Sequence, residues 1–152
     1  MTTFVAAPID RVFDLSRHLA LYRQVFQTRH ESFSSGAGSN LLDKGETITI
    51  IAKHAGRSRM SMLKITNFQK PILFVEEQAK GDLQHYSHEH HFKPVDNGTI
   101  IIDLVEFGMP KDIPGKIFGK LYFRNYLEAM LRKRNEVIRS YAETEKWRAV
   151  LS

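Results

Sequence analysis

Gln84-His85-Tyr86-Ser87-His88-Glu89-His90-His91-Phe92, then Lys93-Pro94-Val95-Asp96-Asn97-Gly98, then Thr99-Ile100-Ile101-Ile102-Asp103-Leu104-Val105-Glu106-Phe107 reads as two β-strands joined by a tight turn. Asn-Gly readily supplies the positive backbone angles of a two-residue hairpin loop, and here it separates two β-rich runs. Side chains alternate across a strand. Tyr86, His88, His90 and Phe92 therefore share one face, and His85, Ser87, Glu89 and His91 the other. A two-residue Asn97-Gly98 loop sets Asp96 opposite Thr99, so even positions on the first strand face odd positions on the second. That places Ile101, Asp103, Val105 and Phe107 beside the two histidines. The shared face is aromatic, apolar and sparsely polar, as the wall of a ligand cavity is.

Upstream of this hairpin the strand pattern continues. Glu46 to Lys53, Arg59 to Phe68 and Ile72 to Ala79 read as strands. They are separated by turn signals at Ala55-Gly56, Lys70-Pro71 and Lys80-Gly81-Asp82. A short apolar strand, Thr3 to Ala6, opens the chain. Pro8 then stands where a helix can start, with Ile9, Val12, Phe13 and Leu15 at helical spacing. A second short helix is predicted over Leu19 to Val25, and Ser34 to Asn40 is a loop by composition.

Downstream, Gly108 to Gly115 holds two prolines and two glycines and reads as a loop. From Lys116 to about Glu145 no proline occurs. Ile117, Leu121, Leu127, Met130, Leu131, Val137, Ile138 and Tyr141 recur at helical intervals. A helix of roughly 25–30 residues is ~40 Å long at 1.5 Å per residue. It needs a large surface to lie on, and a curved sheet provides one. A strand, two short helices, a run of hairpin strands and one long helix predict a single α+β domain over 1–152, with an antiparallel sheet of about six to seven strands.

Composition narrows the function. The 152 residues contain no cysteine, which removes disulfides, zinc–thiolate sites and thiol nucleophiles and suits a cytoplasmic location. Met1-Thr2-Thr3-Phe4-Val5 lacks the basic-then-apolar order of a signal peptide, and no apolar run approaches the ~18 residues of a membrane span. The formal charge is +5, but the basic residues are dispersed. The densest run, Arg132-Lys133-Arg134, lies in the helical pattern near Glu128 and Glu136 and reads as a solvated face. No motif couples basic residues to stacking aromatics, so no nucleic-acid partner is expected. Phosphate-binding loops, the Gly-x-Ser-x-Gly elbow and His-Glu-x-x-His are absent.

The order of elements and several local stretches resemble the START/SRPBCC superfamily, the birch-pollen-allergen-like helix-grip fold, in its bacterial ligand-binding and polyketide cyclase-like branch. Val5-Ala6-Ala7-Pro8-Ile9-Asp10-Arg11-Val12-Phe13-Asp14-Leu15 is similar to its strand-to-helix opening. Phe74-Val75-Glu76-Glu77-Gln78 is similar to its middle strand. His88-Glu89-His90-His91-Phe92 and Asp103-Leu104-Val105-Glu106-Phe107 are similar to the two strands before Pro110. Leu127, Leu131 and Arg134 match its closing helix. Two departures stand out: Gly81-Asp82-Leu83 where the family often has Gly-Pro-aromatic, and Met60-Ser61-Met62 where it often has an aromatic. The resemblance implies a sheet wrapped around the long helix with a cavity between them. It also implies a small, mostly apolar partner, such as a lipid, an isoprenoid or an aromatic polyketide-like molecule.

The candidate wall residues are Tyr86, His88, His90, Phe92, Asp103 and Phe107, with Leu127, Met130 and Leu131 from the long helix. Three readings of His88 and His90 stand side by side: hydrogen-bonding of a ligand or of Asp103, structural satisfaction within the fold, and metal ligation. Two histidines at i, i+2 need a third ligand, and Asp103 is the only nearby candidate. No metal and no cofactor are expected. Of Glu76 and Glu77, alternation turns one inward, at a cost of several kcal/mol unless it is paired or protonated. Arg57, Arg59 and Lys64 are candidate partners for the outward one. Arg134 is placed to snorkel or to pair with a carboxylate at the helix–sheet edge. Met60, Met62, Met109 and Met130 suit a core or an adaptable wall. Binding is the leading function. The alternative is a cyclase or lyase using histidine acid–base chemistry.

Overall fold

A computed structural model describes residues 1–54, 56–110 and 116–152, and the side chains of all of these except Lys116 and Ile117. The chain runs β1 (Thr2–Val5), α1 (Ile9–Ser16), α2 (Leu19–Gln27), β2 (Ser32–Ser35), β3 (Thr47–His54), β4 (Arg57–Gln69), β5 (Leu73–Lys80), β6 (His85–Val95), β7 (Gly98–Gly108) and α3 (Lys116–Ala142). A 3₁₀ turn (Glu145–Trp147) and α4 (Arg148–Leu151) follow. The strands form one seven-stranded antiparallel sheet in the order β1-β7-β6-β5-β4-β3-β2. Strands and helices thus follow the predicted order, with three differences.

β2 was not foreseen, and its last two residues, Ser34 and Ser35, belong to the stretch read as a loop. Ser32-Phe33-Ser34-Ser35 has little strand propensity, but it pairs with Ile48 to Ile51 at the sheet edge. Phe33 stacks on Tyr22 and Phe26 of α2, so packing overrides composition. The long helix stops at Ala142, and a 3₁₀ turn begins where Thr144 accepts from the Lys146 amide. The β6–β7 hairpin pairs Val95 with Gly98 and Pro94 with Thr99, so its two turn residues are Asp96 and Asn97. Asn97 takes the left-handed angle, φ +67°. The register differs from the expected one by two residues. A shift of two preserves the faces, so Tyr86, His88, His90 and Phe92 sit opposite Phe107, Val105, Asp103 and Ile101.

Gly98 is needed for another reason. A Cβ there would lie 2.3 Å from the Val5 carbonyl oxygen and 2.7 Å from the Phe4 ring. The β3–β4 turn holds Gly56 at φ +76°, while Ala55 lies outside the described residues. So does the part of the predicted 108–115 loop from 111 onward.

The core lies between the concave face of the sheet and the helices. Phe13 of α1 meets Phe68, Phe74 and Phe92 edge-on, at ring centroid distances of 5.5, 5.7 and 5.1 Å, and all but Phe68 are fully buried. Leu127, Met130, Leu131, Arg134, Asn135, Val137, Ile138 and Ala142 form the buried stripe of α3, at the three- and four-residue spacing of one helix face. Leu121, expected in that stripe, is exposed together with Phe118 and Tyr122. The buried stripe begins at Leu127, and before it the half-buried Phe123 meets Phe107 of β7 edge-on at 5.0 Å. Arg134, expected on a solvated face, is buried.

Candidate functional site

Three neighbouring strands bring four ionisable side chains to the same inner surface. Glu76 on β5 is the cross-strand partner of His88 on β6, and His90 is the partner of Asp103 on β7. Each of the four is no more than 3% exposed. His88 Nε2 is 3.0 Å from Asp103 Oδ1, and His88 Nδ1 is 3.7 Å from Glu76 Oε2. His90 repeats the arrangement, with Nδ1 3.2 Å from Asp103 Oδ1 and Nε2 3.4 Å from Glu76 Oε2. The two imidazoles are in contact but tilted by 41°, 3.6 Å between centroids, and Phe74 stacks on His90 at 4.1 Å. Two histidine rings are thus held between two carboxylates.

The helices complete the cluster. Tyr22 of α2 donates its hydroxyl proton to Glu76 Oε1. Asn135 of α3 donates to Asp103 Oδ2 at 2.8 Å. Arg134 stands 3.6 Å from Asp103 Oδ1 and donates to the Ser16 carbonyl at 3.0 Å. It therefore does pair with a carboxylate, but in the interior and not at an edge. Glu77 points outward, and no ion pair reaches it among the described residues. Arg59 pairs with Asp82 at 2.6 Å instead.

Burying two carboxylates costs several kcal/mol each unless partners compensate, and the partners here do. Burial alone would raise the Glu76 carboxyl. The nearby His90 and His88 rings and the Tyr22 hydroxyl reverse this and hold it at about 2. For Asp103 burial is again opposed, by His88, His90 and Arg134, which hold it far below the usual carboxylate range. Burial, reinforced by His90, lowers His88 to about 4 despite the adjoining carboxylates. Burial and the Glu76 charge push the Tyr22 and Tyr86 hydroxyls up.

The cluster borders empty space. A cavity of about 40 Å³ is lined by Tyr22, Glu76, Tyr86, His88, Met130 and Arg134, with apolar side chains around them. A second, of about 70 Å³, continues toward Phe123, Tyr126 and Leu127. Phe26, Ile50, Leu63, Tyr86 and Met130 wall both chambers. A separate open groove of about 420 Å³ runs between β7 and α3, where Asp103, Val105 and Phe107 face Leu127 and Leu131.

Of the nine wall residues named from sequence, Tyr86, His88, Leu127 and Met130 border the two inner chambers. Asp103, Phe107 and Leu131 border the outer groove. His90 and Phe92 border none of these three spaces. His90 is enclosed by Phe74, His88 and the carboxylates, and Phe92 packs on Phe13. The sequence reading missed Glu76, Tyr22 and Asn135 as partners. The signal for Glu76 was available: a β5–β6 pairing symmetric about Asp82 sets Glu76 opposite His88. Nothing in the sequence pointed to Tyr22.

No family model matches this chain, and no curated protein matches it by sequence. Solved structures do. A protein from Thermus thermophilus superposes with a TM-score of 0.74 at 16% identity, over 93% of this chain and 97% of that one. The Zhui aromatase/cyclase from a Streptomyces species gives 0.71 at 13% identity, over 94% and 91%. A START superfamily protein from Mycobacterium smegmatis gives 0.66 at 13%, over 94% of each. The chain has the helix-grip fold that these structures share. Among the described residues no helix is long and apolar enough to cross a membrane.

Proposed function

We propose that the chain binds a small, mostly apolar molecule in the paired chambers between the sheet and α3. The observation that carries this reading is the lining: two adjoining apolar chambers share five walls, and one of them is bordered at its inner end by Tyr22, Glu76, His88 and Arg134. Apolar walls with a few convergent polar groups are the usual make-up of a small-molecule site. The free volume holds only a few waters, so a ligand enters by displacing side chains. Met130, common to both chambers, is flexible enough to move. The N-terminal part of α3, with Phe118, Leu121 and Tyr122 exposed, is the less tightly held side.

The test is a screen of fatty acids, isoprenoids and aromatic polyketides by native mass spectrometry and thermal shift. One ligand per chain, raising the melting temperature, is the expected result. No binder in any class, with the same chambers closed in a crystal structure, would sink the reading.

A second reading is acid–base catalysis of a cyclase or lyase type. It is favoured by His88, which borders the first chamber while hydrogen-bonded to Asp103. One helix-grip neighbour is itself an aromatase/cyclase. The double variant His88→Gln/His90→Gln separates the two. Loss of a ligand hydrogen bond changes affinity by about 1–3 kcal/mol. Loss of a general acid–base lowers turnover by about 10²-fold or more while binding persists.

A further inference from the structure

We propose that Glu76, His88 and His90 form a site for one divalent first-row transition-metal ion. The proposal rests on the geometry of the cluster and stands apart from the ligand-binding reading. Each of the three residues offers one donor atom, and the three donors lie within 4.8 Å of one another.

The distances are poor for hydrogen bonds and right for ligands of one ion. His90 Nε2 and His88 Nδ1 stand 3.4 and 3.7 Å from Glu76 Oε2. Two donors bound to one ion at about 2.0–2.1 Å and a tetrahedral angle are about 3.3–3.4 Å apart, each aimed at the ion and not at the other. His90 fits this description. It is fully buried, and neither of its ring nitrogens makes a hydrogen bond among the described residues, although buried polar atoms are nearly always satisfied.

The far side of both rings is arranged to match. Asp103 Oδ1 lies 3.0 Å from His88 Nε2 and 3.2 Å from His90 Nδ1. A neutral His88 that donates its Nε2–H to Asp103 turns the lone pair of Nδ1 toward Glu76. Lone pair then faces carboxylate oxygen, and a cation between them removes the conflict. A carboxylate behind a ligating histidine, fixing its tautomer and orientation, is the usual outer shell of such an ion. Asp103 is in this sense a positioning residue, itself held by Asn135 at 2.8 Å.

Two imidazoles and one carboxylate, without thiolate, suit Zn²⁺ or Fe²⁺. Glu76 and His88 both border the first chamber, so a remaining coordination position faces the space where a ligand oxygen would lie. The expectation of no metal rested on the lack of cysteine and of a complete ligand set, with Asp103 the only nearby candidate for a third ligand. The fold brings Glu76 to the opposite side of the rings, and Asp103 becomes the outer partner.

The experiment uses the full chain dialysed against EDTA and titrated with ZnCl₂ by calorimetry, and with CoCl₂ by visible spectroscopy. One ion per chain is expected, with Co²⁺ bands of a low-coordinate nitrogen–oxygen site. Glu76→Gln and His90→Gln should each abolish stoichiometric binding. Asp103→Asn should weaken it about 10–100-fold, and His91→Gln, on the outer face, should leave it unchanged. If a variant fails to fold, imidazole ¹⁵N spectra of the wild-type chain give the answer. Zn²⁺ should shift the His88 and His90 resonances and leave His85 and His91 in place. No stoichiometric ion, or binding that survives Glu76→Gln, would overturn the site.

Discussion

The Asp103 carboxylate meets His88 across the β6–β7 pair, Oδ1 to Nε2 at 3.0 Å, while its Oδ2 accepts from Asn135 of α3 at 2.8 Å. One buried side chain thus ties two central strands to the long helix. It also stands beside Arg134, at 3.6 Å.

Asp103→Ala should therefore destabilise the fold by roughly 3–5 kcal/mol, the range for removing one partner of a buried ion pair and stranding the other. Glu89→Ala, which removes the half-exposed Glu89–His91 pair on the outer face, should cost no more than about 1 kcal/mol. Urea melts of the two variants decide the matter, and equal losses would contradict this account of the cluster.

Phe13 is the centre of the aromatic core. Phe13→Ala removes edge-on contacts with Phe68, Phe74 and Phe92 and should cost about 3–5 kcal/mol. Chemical denaturation gives the number. A loss below about 1 kcal/mol would mean that the three partner rings close over the gap.

Gly98→Ala probes the close approach of β1 to the hairpin. The added methyl meets the Val5 carbonyl oxygen and the Phe4 ring, and a forced shift of this kind costs about 1–3 kcal/mol. Hydrogen exchange should quicken at Thr3 and Val5, which are paired with Ile101 and Thr99, and not in β3 or β4.

Met130→Trp tests the shared wall of the chambers. The larger ring should fill space common to both and lower binding of an apolar probe such as anilinonaphthalene sulfonate at least tenfold, with a stability change within about 1–3 kcal/mol. Unchanged probe binding in a folded variant would place the probe elsewhere, the groove between β7 and α3 being the next candidate.

Acid sensitivity should include a contribution from His18. Its Nδ1 accepts the Ala20 amide at 3.1 Å and caps α2, a bond that requires the unprotonated nitrogen. Burial lowers its pKa from 6.5, the Val150 backbone partly offsetting this and the Arg17 charge adding to it. The unfolded chain takes up this proton near pH 6.5 and the folded chain only at lower pH. Stability therefore falls as pH drops below about 6.5, by up to about 1.4 kcal/mol per pH unit for one proton. His18→Asn keeps a good cap and should flatten the profile in that window. An unchanged slope would remove His18 from the account.

Much of this protein was legible from alternation and punctuation alone. The order of elements, the β6–β7 hairpin and the shared inner face of Tyr86, His88, His90 and Phe92 follow from local patterns. They even survived a hairpin register displaced by two residues, because parity alone sets the face. What tertiary structure decided was which polar groups meet. Glu76 reaches the histidines because β5 and β6 pair symmetrically about Asp82. Tyr22 reaches Glu76 because α2 packs across the sheet 54 residues away in sequence. Arg134 leaves its basic run for the interior because Asp103 and the Ser16 carbonyl stand where that face of α3 lands. Phe33 packs β2 against the rings of α2, to which no local pattern pointed. Periodicity is a property of one segment, whereas a buried charge is tolerable only through partners on other segments, and their positions are set by register and packing.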